Sequence, residues 1–404
     1  MTTLRIVVCS LVMAGAKPAS CFPSPQRPER TAGDSFDQLA AKAAEASEKN
    51  QLADAAALYR KALALRPKWP EGWWSLGTVL YDQNNYAEAG KAFQRLLSLT
   101  PRNGTARVML GLCEFQLGED AQALKHIQEG DALGVIDDAQ LRQVALYHEG
   151  ILLLRARQYG AAARPLRALC EADLHNAELV QAFGLAVFGL TPKVAPPEGT
   201  PGAQIILRVG RAECSAAQKH ADEARAEYQA LIAEYPDYPS LHYVYGRFLL
   251  ELHETDGAVQ QFKAELQRNP RHLNSLLEIA AVRYRSDSDD GVKYAQQAVA
   301  LAPRLPFPHY LLGLLLLDTG KAAESLPELE IARKAFPSEP SVYFALGNAY
   351  AKTGHKPEAA KARAAFIRLN AKKSREAGDT FYGERPSGLT QDKLQATSPD
   401  QHRE

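Results

Sequence analysis

The chain has 404 residues, with 47 basic and 47 acidic side chains that cancel to a formal net charge of zero. It is too long for one ordinary core and long enough for two or three domains or one extended array. The charge balance gives no basic excess for a nucleic-acid partner and no argument for a membrane surface. Alanine and leucine are abundant and β-branched residues sparse, a composition that favours helices.

Arg5 is followed by an apolar run, Ile6 to Ala16, interrupted only by Cys9 and Ser10. The run is too short to cross a bilayer and suits the core of a signal peptide. Ala14-Gly15-Ala16 offers a small-x-small cleavage pattern. Residues 1–16 are therefore expected to be a signal peptide, which makes the mature chain exported, periplasmic or secreted. The alternative is a cytoplasmic tail with an apolar patch. Lipidation at Cys21 is disfavoured, because Pro18-Ala19-Ser20 lacks the large apolar residue of such sites. Residues 17–35, rich in proline and charge, read as a flexible lead-in. No later run has 18 continuous apolar residues, so no membrane span is expected. Cys113 and Cys214 fall within helices and Cys170 near a helix end, with no Cys-x-x-Cys spacing. They read as small buried apolar residues, not as a disulfide framework.

The stretch Pro70 to Pro101 sets the pattern for the rest of the chain. Trp73, Leu76 and Gly77 open it, Tyr81 and Tyr86 sit mid-way, and Ala89, Phe93 and Pro101 close it. Residues 36–69 carry Ala55, Tyr59, Ala62 and Pro67 in the same frame. Later units carry Leu110-Gly111, Gly118 and Ala123, then Gly150, Tyr159, Ala162 and Leu166. In the second half Pro236, Pro270, Pro303 and Pro337 are spaced 34, 33 and 34 apart, and first-helix glycines recur as Gly246, Gly313 and Gly347. This recurrence resembles the tetratricopeptide repeat (TPR), a helix–turn–helix unit, over residues 36–372. The resemblance implies an all-α, right-handed superhelical solenoid of about nine to ten hairpins. Small residues at the eighth and twentieth positions let the paired helices approach. Large ones fill the space between hairpins, and the closing proline ends the second helix.

One unit breaks the frame. Ala177 to Leu190 reads as a first helix, but residues 191–203, TPKVAPPEGTPGA, hold four prolines and two glycines where a second helix belongs. The next helix is expected over about Gln204 to Gln218. The segment is either a bridge for a lost helix or a hinge between two arrays, 36–190 and 204–372. Residues 373–404 are polar and aperiodic, and read as a disordered tail with Phe381-Tyr382 as a candidate short motif.

The TPR resemblance also implies that first-helix positions 2, 5, 9, 12 and 13 face a bound peptide. Position 5 holds Trp74, Tyr147, Tyr243, Tyr310 and Phe344 among nine units, and position 12 adds Tyr81, Phe115, Phe188 and Tyr284. Such rings suit protein recognition, with packing between helices as the competing role. The candidate partner-binding groove is thus Trp74, Tyr81, Phe115, Tyr147, Tyr243, Tyr284, Tyr310 and Phe344. The Lys/Asn clamp by which some TPR domains hold a C-terminal carboxylate is missing from the first half, where its places show Glu71, Trp74, Thr78, Val108, Leu112, Tyr147 and Ile151. The second half offers only isolated polar residues there, such as Arg247 and Asn348.

The sequence offers little else in the way of chemistry. Asp287, Asp289, Asp290 and Gly291 match a calcium loop only superficially, since the twelfth place is Ala298 and not glutamate. A helix cap is the expected role. His242 and His309 occupy the packing position of Trp73 and lack a second ligand at helical spacing. No phosphate loop, nucleophile elbow or supported Cys/His pair occurs. The sequence therefore points to a non-enzymatic protein–protein scaffold or assembly factor without cofactor or metal, its partners unnamed proteins or peptides. The alternative is a self-association module whose groove takes its own tail or another copy, giving a homo-oligomer in the latter case.

Overall fold

The computed structural model describes residues 35–134, 139–174 and 176–376. The expected signal peptide, Cys21, nearly all of the lead-in and Phe381-Tyr382 lie outside the described residues. Two compact units divide at Leu152/Leu153. In the first, α1 (Phe36–Glu48) and α2 (Leu52–Leu65), α3 (Pro70–Asp82) and α4 (Tyr86–Leu99), and α5 (Gly104–Leu117) and α6 (Asp120–Leu133) are successive hairpins, followed by α7 (Ala139–Arg155). The second begins with the last residues of α7, then α8 (Tyr159–Glu171), α9 (Ala177–Phe188), α10 (Pro201–Ala217) and α11 (Ala221–Glu234). Four further hairpins complete it: α12 (Leu241–Glu251) with α13 (Thr255–Arg268), α14 (Leu273–Arg283) with α15 (Ser288–Leu301), α16 (Pro306–Asp318) with α17 (Ala322–Ala335), and α18 (Pro340–Lys352) with α19 (Lys356–Glu376). No strand occurs among the described residues. The last helix runs past the expected repeat boundary at 372 to Glu376.

Local chemistry sets these limits. Ser35 and Gln38 close a capping box on α1, with Ser35 Oγ accepting from the Gln38 amide at 3.3 Å and Gln38 Oε1 from the Ser35 amide at 2.9 Å. Asp287 Oδ1 accepts from the Asp290 amide at 3.3 Å and so caps α15, the role expected of that acidic run. Pro67, Pro101, Pro236, Pro270, Pro303 and Pro337 each fall two residues beyond a helix end, where a missing N–H removes no helical bond. Turns within hairpins pass through left-handed residues, among them Asn84, Gly118, His253, Arg285, Gly320 and Gly354.

Packing follows the repeat. A Cβ on Gly77 would lie 2.7 Å from the Phe93 ring, and one on Gly246 would lie 2.6 Å from the Phe262 ring. Phe93 and Phe262 are fully buried, so each glycine is the space into which the facing ring packs. Fused in this way, hairpins bury a continuous apolar stripe that none could bury alone. It runs from Ala43 to Leu152 in the first unit and forms two clusters in the second.

The irregular unit differs from its sequence reading. Backbone without regular helix covers Gly189 to Thr200 apart from one 3-10 turn at Pro192–Val194. Thr200 caps α10, which starts at Pro201, ahead of the expected Gln204. A Cβ on Gly184 would meet the Ile206 carbonyl oxygen at 2.1 Å, and one on Gly210 the Val180 carbonyl oxygen at 2.0 Å. The two pairings run in opposite senses, so α9 and α10 are antiparallel and in close contact. Thus α10 takes the place of the absent second helix and also packs on α11. This also corrects the cysteine expectation. With α10 beside α8, Cys170 and Cys214 are joined in a disulfide with Cα atoms 5.0 Å apart. Their separation of 44 residues reflects the broken register and resembles no local motif. Cys113 is the buried thiol expected, and burial pushes it up to about 12.

Candidate protein-binding site

The eight candidate groove residues do not form one open row of rings. Tyr81, Tyr243 and Tyr310 are buried, with 8%, 6% and 4% of their surface exposed, which corrects the expectation of free rings there. Tyr81 meets Tyr86 edge-on at 5.2 Å. Tyr243 is held between Phe262 at 5.9 Å and His272 at 4.9 Å. Burial pushes the Tyr243 and Tyr310 phenols up to about 12. Tyr86 and Phe262 each belong to the second helix of the same hairpin and His272 to the cap of the next first helix, so Tyr81 and Tyr243 pack within and between hairpins. Trp74, Phe115, Tyr147 and Tyr284 are half-buried, and Phe344 is 52% exposed. Trp74 packs on Phe93 at 5.7 Å, while Phe115 and Tyr147 both meet His148 edge-on, at 4.5 and 5.6 Å. Phe344 rests on Phe366 at 5.4 Å.

Of these, Tyr284 lines an open cleft of about 290 Å³ in the second unit. Its other walls come from the same template positions of the next two first helices: Leu314, Leu317 and Asp318 on α16, and Asn348, Ala351 and Lys352 on α18. The apolar floor is bordered by two cations, one carboxylate and one amide. Arg285 completes the lining and holds its guanidinium 5.1 Å over the Tyr284 ring. Ser288 Oγ donates to Asp318 Oδ2 at 2.6 Å, and Lys352 Nζ to the Leu317 carbonyl at 3.3 Å. Both bonds fix rim groups in place without covering the floor. Sequence reading singles out Tyr284 and Asn348 but does not group them. The signal lies in positions 9, 12 and 13 of successive units, where it is weaker than the run of rings at position 5.

His242 and His309 are buried in the packing positions expected of them. His242 Nδ1 lies 2.7 Å from Gln261 Oε1, and His309 Nδ1 lies 2.5 Å from Glu328 Oε2 with its Nε2 3.0 Å from the Pro303 carbonyl. One contact has the outline of a catalytic pair: Ser240, at φ +63°, has Oγ 3.3 Å from His272 Nε2. However, His272 Nδ1 accepts from the Ser275 amide at 3.2 Å and faces Ser275 Oγ at 2.8 Å. The ring proton is therefore on Nε2, which donates to Ser240 and has no lone pair to take its proton. Burial also pulls His272 down to about 4. No trio of His, Cys, Asp or Glu is placed to hold a metal ion, and no helix is long and apolar enough to cross a membrane, among the described residues.

The sequence profile of the tetratricopeptide repeat matches residues 40–103, 75–134, 215–272 and 310–372, together more than half of the chain. The chain belongs to the tetratricopeptide repeat family, and its class is that of the protein–protein interaction scaffold. Among solved structures it is similar to MamA from Desulfovibrio magneticus RS-1, with 19% identity over 42% of this chain and 97% of that one, at a TM-score of 0.39. A tetratricopeptide repeat protein from Parabacteroides merdae ATCC 43184 shares 18% identity over 70% and 98% of the two chains, at a TM-score of 0.32. The APC/C hetero-tetramer Cut9-Hcn1 shares 14% identity over 84% and 80%, at a TM-score of 0.31. These likenesses are of fold alone. No curated relative matches the chain in sequence.

Proposed function

We propose that this scaffold captures an extended segment of a partner polypeptide in the cleft formed by α14, α16 and α18. The observation carrying this reading is that equivalent positions of three consecutive first helices open on one space with an apolar floor and a polar rim. Leu314, Leu317 and the Tyr284 ring offer apolar area to a partner side chain. Asn348, Asp318, Arg285 and Lys352 set the direction of the bound strand through hydrogen bonds and charge. Trp74, Phe115 and Tyr147 in the first unit and Phe344 in the second are further contact candidates, and no catalytic step, cofactor or metal is part of the proposed function. A photo-crosslinking residue placed at Leu314 or Asn348 should trap the same partner in an extract of the source cells, and one at Lys334 should not. Equal trapping from Lys334, or no discrete product from either cleft site, would rule the cleft out.

Export belongs to this reading. The short apolar run before Lys17 supports it, and so does the Cys170–Cys214 bond, since disulfides persist in oxidising compartments. Alkylation followed by mass measurement of the protein from separated cell fractions tests it, because a free-thiol cytoplasmic form would contradict export. Self-association is favoured by one different observation. Phe344, 52% exposed, and the half-buried Phe366 beside it at 5.4 Å leave apolar surface on the last hairpin, as does Ile367 at 66%, and a second copy would cover it. Sedimentation of the chain with and without residues 377–404 separates a dimer from a monomer whose face is closed by its own end.

A further inference from the structure

The broken register creates a second cleft. Because α10 crosses to pack on α9, α8 and α12 come to flank the same space, about 210 Å³ in volume. Arg167 spans it, with Nη2 2.8 Å from Glu251 Oε2 on α12 and 3.5 Å from Glu213 Oε2 on α10. The Cys170–Cys214 bond lies one turn along α8 from Arg167 and next to Glu213, so it fixes this bridge in register. Its accessible apolar wall is Tyr159 and Val187, both half-buried, with Phe183, Val244 and Phe248 fully buried behind them. Its volume is below the roughly 300 Å³ of small-molecule sites, a size for one or two side chains.

Charge identifies the side chains. Three arginines, Arg164, Arg167 and Arg247, line the cleft against two glutamates, Glu213 and Glu251. Glu213 is already engaged by the Tyr228 hydroxyl at 2.5 Å and by Arg167. Glu251 takes the short arm of Arg167. Arg164 is exposed and makes no ion pair within 4.0 Å among the described residues. Arg247, half-buried on the opposite wall, leans on Tyr243 and feels Glu278 and Glu251, but it too has no carboxylate within 4.0 Å among the described residues. Two guanidinium forks thus face one space from opposite sides with donors left over. Arg247, the one held away from bulk water, gains most from a carboxylate accepting through both oxygens, and Arg164 adds a solvent-exposed contact from α8.

We propose that this cleft is a second recognition site, one that takes an aspartate or glutamate side chain of a partner polypeptide between Arg164 and Arg247, with the apolar residue beside it on Tyr159 and Val187. It is separate from the α14–α16–α18 cleft and shares none of its residues.

Two acetylated, amidated, fluorescein-labelled probes test it on the full chain: Ala-Phe-Glu-Phe-Ala and its Gln counterpart. The Glu probe should saturate and bind about tenfold tighter than the Gln probe, the discrimination of a charge-assisted bond over a neutral one. Binding should weaken as salt rises to about 0.5 M. Arg164→Gln, a surface change, should weaken the Glu probe about tenfold with Tm unaltered, and Arg247→Lys should weaken it without unfolding the chain. Leu314→Glu should leave this binding intact, which keeps the result independent of the other cleft. Equal affinity for the two probes, no saturation to about 5 mM, or indifference to Arg164→Gln would overturn the proposal. Binding that emerges only after residues 377–404 are removed would assign the cleft to the chain's own acidic end, and would overturn the partner assignment.

Discussion

Cys170 on α8 and Cys214 on α10 are covalently joined across a loop that contains the whole of α9 and the Pro/Gly-rich segment. The bond fastens α10, the helix that stands in for the missing second helix beside α9, to α8. Closing a loop of 44 residues is worth about 4 kcal/mol in the chain-entropy view, with about 2–4 typical of natural bonds. The Cys170→Ala/Cys214→Ala double variant should lose stability of that order. A reductant should lower the Tm of the wild type and leave the double variant unmoved. Hydrogen exchange should show the new opening concentrated in α9 and residues 189–200, not in α14 to α19.

Glycines of the array divide into those that space the helices and those that do not. Gly246→Ala places a methyl 2.6 Å from the buried Phe262 ring and should cost about 1–3 kcal/mol through overpacking. Gly90→Ala on α4 meets its nearest neighbour, Leu110 Cδ1, at 3.6 Å, an ordinary contact. There the gain in helix propensity, up to about 1 kcal/mol, is unopposed. Urea unfolding of the two variants should move in opposite directions. The same sign for both would mean the close approach at Gly246 is not the constraint.

The frame of the fold was legible because the repeat is built from local rules. Pro236, Pro270 and Pro303 mark helix ends, and Gly77 and Gly246 mark close approaches, whatever the partner helix contributes. Two features were not legible for the opposite reason. The pairing of Cys170 with Cys214 and the convergence of Arg167, Glu213 and Glu251 depend on where α10 goes after an irregular segment, and no residue of that segment specifies a helix partner. At Tyr243 and Tyr310 the packing role, the alternative to a groove contact, fits the burial, and the sequence did not separate the two for a third reason. Tyr243 is covered by Phe262 of its own hairpin and by His272 at the start of the next one, and periodicity alone does not say whether a position-5 ring turns toward such neighbours or toward the groove.

That burial has a measurable consequence. Tyr243 and Tyr310 each fill core space, so Tyr243→Ala and Tyr310→Ala should each cost about 3 kcal/mol or more, the loss typical of a large aromatic removed from a core. Phe344→Ala, at an exposed position, should stay within about 0.5 kcal/mol. Denaturant midpoints decide this without any knowledge of a partner. Full stability of Tyr243→Ala would restore that ring to the groove.

Glu213 offers a test in which the sign can be worked out in advance. Its carboxyl is raised from the usual range, first by burial and then by the neighbouring Glu251, against the Tyr228 hydrogen bond and the Arg167 and Arg247 charges. A folded value above the unfolded one means that its contribution is full below the unfolded range, about pH 4.3, and is lost as pH rises through the folded value. Glu213→Gln keeps an acceptor for the Tyr228 hydroxyl but does not titrate. The variant also loses the 3.5 Å pairing with Arg167, so its stability at any single pH has no fixed sign. The trend does: Tm of the variant minus Tm of the wild type should become more positive between about pH 4 and pH 8. Parallel curves across that range would show that Glu213 ionises in the folded chain as easily as in the unfolded one, and that the arginines and not burial govern this carboxylate.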